Sequence, residues 1–132
     1  MTKPTAEIPI HTSIAPWLTF HDCAAALEFY KDAFGAHETY KLETPDGLVV
    51  RLSIDGAEFW LSTGAGEEQR LKPIGDNTIR IILIVNEPSL LFQSAIRAGA
   101  KEVFPIREEH GWLLGRIVDP FGLHWEIGHP TS

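Results

Sequence analysis

Gly115-Arg116-Ile117-Val118-Asp119-Pro120-Phe121-Gly122-Leu123-His124-Trp125-Glu126-Ile127-Gly128 is the stretch whose reading decides the fold. Asp119-Pro120-Phe121-Gly122 has turn chemistry: an acceptor side chain, a fixed φ and a glycine close together. Trp112 to Val118 precedes the turn and Leu123 to Ile127 follows it, both rich in branched and aromatic residues and of strand length. In the second run Leu123, Trp125 and Ile127 alternate with His124 and Glu126. Side chains on a strand alternate between faces, so the apolar set suits a helix-covered face and His124 and Glu126 point the other way.

Working backwards, Lys101 to Ile106 reads as a strand, and Glu87 to Ala98 as a helix with Pro88 early, where a missing N–H costs nothing. Gly99 stops that helix, and Thr78 to Val85 reads as the strand before it. The first half repeats this order. Ile14 to Phe20 reads as a strand, Asp22 as an N-cap, and Ala24 to Phe34 as a helix stopped by Gly35. His37 to Leu42, Leu48 to Ile54 and Ala57 to Ser62 read as strands, the last two joined at Asp55-Gly56. Phe20 matches Val85, Gly35 matches Gly99 and Gly56 matches Gly122, at offsets of 65, 64 and 66 residues. Such recurrence implies two similar modules. The expected fold is α+β: two βαβββ modules, about residues 14–62 and 78–128, joined by a linker at about 63–77, forming an open, mostly antiparallel barrel around a shared cleft.

Composition narrows the functional classes. The chain has 132 residues, ordinary for one domain, with 44% hydrophobic and 22% charged. With 11 Lys and Arg against 18 Asp and Glu, the net charge is −7, which argues against nucleic acid as a partner. No apolar run reaches membrane-spanning length. Met1 to His11 lacks an apolar secretory core and reads as a loose arm, and Cys23 is the single cysteine; both fit a cytoplasmic protein.

Strand parity sorts the side chains of the expected cleft. Ala57, Phe59 and Leu61 suit the helix side, leaving Glu58, Trp60 and Ser62 on the other. Ile79, Ile81, Leu83 and Val85 suit the helix side, leaving Thr78, Arg80, Ile82 and Ile84 inward. Leu18 and Phe20 leave Ala15, Trp17 and Thr19 inward. The expected ligand-binding residues are therefore Trp17, Trp60, Arg80, Arg116 and Glu126, with His124 and Glu126 the groups able to move a proton. Each has a structural alternative: Glu126 paired with Arg80, His124 as a satisfied core histidine, and the two tryptophans as packing. The other histidines have no metal-ligand spacing.

The sequence resembles the vicinal oxygen chelate superfamily of glyoxalase I, bleomycin-resistance proteins and extradiol dioxygenases. Leu27 to Ala36, Ala98-Gly99-Ala100 and above all Gly115 to Gly128 carry the resemblance, which extends over about Ile14 to Gly128 and is nearest the PhnB-like and bleomycin-resistance-like branch. It implies paired βαβββ modules and a homodimer. It also implies a metal position on the first and last strand of each module, and those positions hold Ala15, Trp60, Arg80 and Glu126, of which only Glu126 is a usual ligand. No metal or other cofactor is therefore expected.

The expected function is binding or sequestration of a small, aromatic or cationic compound between Trp17 and Trp60, with Glu126 as its anionic contact. The alternatives are a superfamily lyase, isomerase or dioxygenase using His124 and Glu126, and a structural or regulatory dimer with a vestigial pocket.

Overall fold

Asp22 starts the first helix as an N-cap: its carboxylate accepts the Ala25 N–H at 3.0 Å, satisfying one donor that a helix start leaves open. This helix, α1, runs Cys23–Phe34 and ends at Gly35, whose φ of +68° suits a residue without a Cβ. The arrangement comes from a computed structural model that describes residues 10–64 and 79–131.

The order is β1 (Trp17–Phe20), α1, β2 (His37–Thr44), β3 (Gly47–Ile54) and β4 (Ala57–Thr63), then β5 (Arg80–Ile84), α2 (Pro88–Ala98), β6 (Lys101–Glu109), β7 (Trp112–Val118) and β8 (His124–Pro130). This is the expected βαβββ repeat. Strand β1 begins later than expected. Pro16 has no N–H to donate and joins the sheet only through its carbonyl, which accepts from Trp60, while Ile14 is fully exposed. The arm expected at Met1 to His11, the linker expected at 63–77 and the start of the strand at Thr78 lie largely outside the described residues.

The strands form two mixed sheets, ordered β1-β4-β3-β2 and β5-β8-β7-β6. In each, the first strand lies parallel to the last and the other neighbours are antiparallel. The register repeats too: Trp17 pairs with Trp60, and Ile82 with Glu126.

The core lies where both helix-covered faces meet. Trp125 of β8 packs against Phe34, Tyr30 and Phe59, with ring centroids 4.8, 5.4 and 5.6 Å apart. Helix α1 of the first module thus sits on a strand of the second. Among the described residues the two sheets share no hydrogen-bonded strand pair. This is the expected open arrangement: the sheets are not closed into a barrel, and their apolar faces share one core.

A buried polar contact ties the modules together. Asp119, 3% exposed, accepts the Tyr30 O–H at 2.5 Å and the Trp125 indole N–H at 2.9 Å through Oδ2. Its Oδ1 accepts the N–H groups of Phe121 and Leu123, closing the turn. Burial, then the Asp119 charge, hold the Tyr30 proton far above the ordinary phenol range. The unfolded phenol ionises near pH 10 while the folded one keeps its proton, so this contribution is complete below pH 10 and is lost as pH rises above it. Urea unfolding free energy is expected to fall by about 1.4 kcal/mol per pH unit above pH 10 through this group. Tyr30→Phe should remove that part of the slope; an unchanged slope in the variant would refute the assignment.

Candidate functional site

The open face of the first sheet is an aromatic platform. Trp17 and Trp60 are paired residues on neighbouring strands, so their side chains rise together on one face. Their rings stack with centroids 5.5 Å apart and planes 14° apart. A compound therefore has no room between them, which corrects the expected sandwich; the pair offers one continuous surface on which a flat ring can lie. Trp17 donates its indole N–H to Ser62 Oγ at 2.9 Å, and the Thr19 and Ser62 hydroxyls lie 3.3 Å apart. Tyr40 meets Trp60 edge-on, and the Arg51 guanidinium lies 5.4 Å from the Trp60 ring centre, where the ring's negative face attracts it. Trp17 remains 54% exposed.

The open face of the second sheet is charged. Glu126, 7% exposed, directs Oε2 at two guanidiniums: Arg80 Nε at 3.0 Å, and Arg116 Nη2 and Nε at 2.8 and 3.2 Å. The expected ion pair with Arg80 is present, widened by Arg116, which β7 places directly opposite Glu126. Phe104 on β6 lies beneath Arg116, 5.4 Å from its guanidinium carbon. Ile82 and Ile84 extend this face along β5 and are 56% and 49% exposed. Half-buried His124 sits between Arg80 and Val118, and its Nδ1 is buried without a partner among the described residues.

The six sequence-selected residues thus form two groups, Trp17 with Trp60 and Arg80 with Arg116, His124 and Glu126, on different sheets. Two concavities among the described residues lie elsewhere. One, of about 530 Å³, opens beside Cys23, Lys41 and Thr63. Burial, the dominant effect, raises the Cys23 thiol above its ordinary range and keeps it protonated, which is the wrong direction for a nucleophile. The other, about 1150 Å³, is a groove between the end of α1 and the start of α2.

A divalent metal does not fit the positions the resemblance implies. Ala15 has no donor, Trp60 is stacked on Trp17, and the only carboxylate, Glu126, is held by two fixed positive charges. Among the described residues no three His, Cys, Asp or Glu side chains are grouped to hold a metal.

Sequence reasoning placed Ser62 on its open face but did not select Tyr40, Arg51 or Phe104 as contributors to these faces. The alternation of Arg51 with buried Val50 and Leu52 marks Arg51. Tyr40 and Phe104 had no such signal, because each sits at a register shift in its strand, where parity fails.

A family model described as the glyoxalase/bleomycin resistance protein/dioxygenase superfamily matches residues 11–127. The uncharacterized protein Rv0887c of Mycobacterium tuberculosis is 31% identical over 135 residues, covering 96% of this chain and 79% of the relative. Mb0911c of Mycobacterium bovis, also uncharacterized, is 31% identical over 132 residues, covering 94% and 87%. Among solved structures, a glyoxylase/bleomycin resistance protein/dioxygenase domain from Frankia sp. EAN1pec superposes with TM-score 0.76 at 14% identity, covering 92% of this chain and 99% of that one. TioX from Micromonospora sp. ML1 gives 0.71 at 20% identity, covering 91% and 99%. The genomically encoded fosfomycin resistance protein FosX from Listeria monocytogenes gives 0.70 at 15% identity, covering 92% and 96%. At these identities the structural likeness is one of fold.

Proposed function

We propose, from the premise that the chain belongs to the glyoxalase/bleomycin resistance protein/dioxygenase superfamily, that it binds or sequesters a small organic compound without a metal, in clefts assembled by two copies of the chain. The PhnB-like or bleomycin-resistance-like branch is part of this reading. One observation carries it: the aromatic platform of Trp17 and Trp60 and the charged group of Arg80, Arg116 and Glu126 stand on faces turned away from the shared core. In a homodimer the platform of one protomer would face the charged group of its partner, giving two clefts per dimer. The exposure of Trp17 on one sheet and of Ile82 and Ile84 on the other supports a covering partner, since exposed large apolar side chains mark interaction surfaces. FosX is named a fosfomycin resistance protein, and that name favours a role in handling a small compound. No helix among the described residues is long and apolar enough to cross a membrane.

The enzymatic alternative has less support. Proton transfer needs a group within reach of a ligand, and His124 Nδ1 is buried while Glu126 Oε2 is shared by two arginines.

Three measurements test the proposal. Sedimentation should give a dimer. Elemental analysis of protein purified without chelator should give substoichiometric Ni, Zn, Fe and Mn. At least one naphthalene derivative bearing a carboxylate, an alcohol or an ammonium group should raise the melting temperature of the protein but not of Trp60→Ala. A monomer refutes the shared cleft, stoichiometric metal refutes the metal-free reading, and silence from all three compounds refutes the binding role.

A further inference from the structure

We infer that the bound compound is an aromatic oxyanion, with its ring on the Trp17–Trp60 platform and its anionic group on Arg80 and Arg116. The inference rests on the cleft reading above and deepens it by assigning the ligand's charge.

The charged face holds two guanidiniums against one carboxylate, a net charge of one positive on this group. Glu126 is the inner member: it is 7% exposed, and both arginines converge on the same oxygen. A cation approaching this face meets the guanidiniums before it reaches the carboxylate. An anion meets donors. Arg80 engages Glu126 through Nε, and its side chain is 40% exposed on edge strand β5. Binding through Nε leaves the two terminal nitrogens of the fork, the pair whose spacing matches a carboxylate or phosphate. Glu126 competes with an incoming anion for these donors and offsets one of the two positive charges, while the Phe104 ring supports Arg116 from below. Ile82 and Ile84 continue the face from Arg80 as an apolar strip, which suits a ligand whose body is hydrocarbon. On the first sheet the Arg51 charge is already matched by Glu58 at 3.4 Å, so that platform contributes stacking rather than net charge.

The test is titration calorimetry at low salt on the purified protein with 2-naphthoate, 2-naphthylmethanol and 2-naphthylmethylammonium. Naphthoate should bind about tenfold more tightly than the alcohol, as one charge-assisted bidentate contact allows, and the ammonium least tightly. Arg80→Gln should remove that advantage and leave alcohol binding unchanged. Glu126→Gln releases both guanidiniums and should tighten naphthoate binding several-fold, which a merely structural carboxylate would not do; if this variant fails to fold, half-exposed Arg80 keeps the test. Ammonium binding as tight as naphthoate, or a naphthoate advantage that survives Arg80→Gln, overturns the assignment while the cleft stands. Failure of all three compounds overturns the assignment together with the proposed function.

Discussion

Asp119→Ala should lower the melting temperature by about 10–20 °C, corresponding to about 4 kcal/mol for a chain of this size. The wild-type carboxylate accepts four hydrogen bonds: from the Tyr30 hydroxyl, the Trp125 indole, and the N–H groups of Phe121 and Leu123. Removing it strands donors in a site where Tyr30 and Trp125 are almost wholly buried. Each buried donor without an acceptor costs about 1–3 kcal/mol, and together these outweigh the saving from no longer burying the Asp119 charge. Asp119→Asn should cost less than alanine, since its amide oxygen can still accept the two turn N–H groups. Its NH₂ faces the Trp125 N–H, so that donor stays unsatisfied. Differential scanning calorimetry of the two variants checks the order, and an alanine variant within about 2 °C of wild type would refute the role of the network.

Gly128→Ala should cost about 3 kcal/mol or more and loosen the second sheet. An ideal Cβ at Gly128 would lie 1.7 Å from the Leu113 carbonyl oxygen and 2.8 Å from Leu114 Cδ2. The obstacle is backbone on the paired strand β7, which cannot rotate aside, so β7 and β8 must separate. Gly128 lies two residues beyond Glu126, and its carbonyl accepts the Val85 N–H at the end of β5. Separation there would displace both arginines that converge on Glu126. Hydrogen exchange should therefore quicken in β5, β7 and β8 before β2, β3 and β4; uniform acceleration would argue for a global effect instead.

The local chemistry of this chain is legible in its sequence. Asp22 and Gly35 mark the ends of α1 because capping is a property of a few adjacent residues. Parity on β4 and β8 separates buried Phe59, Leu61, Trp125 and Ile127 from Trp60, His124 and Glu126, because alternation needs only an unbroken strand. Legibility stops where distant segments meet. Nothing adjacent to Tyr30 announces that its hydroxyl bonds to a turn 89 residues away. Parity assigns Trp17 and Trp60 to one face but not to neighbouring strands, and that neighbourhood makes them a stacked pair rather than two walls. Parity also says which face of each module is apolar without saying that the two apolar faces meet. That meeting leaves the opposite face of each sheet open.

The bond from Tyr30 to Asp119 also orders events during synthesis. Helix α1 can coil as soon as it emerges, but its phenol, and the rings that pack on Trp125, find their partners only about ninety residues later. A ribosome-bound chain carrying only the first module can already pack Tyr30 on Phe20 and Phe59, but it lacks the Trp125 ring and the Asp119 acceptor. Such a long loop is closed late, so the Tyr30–Asp119 bond joins the modules only after nearly the whole chain is made.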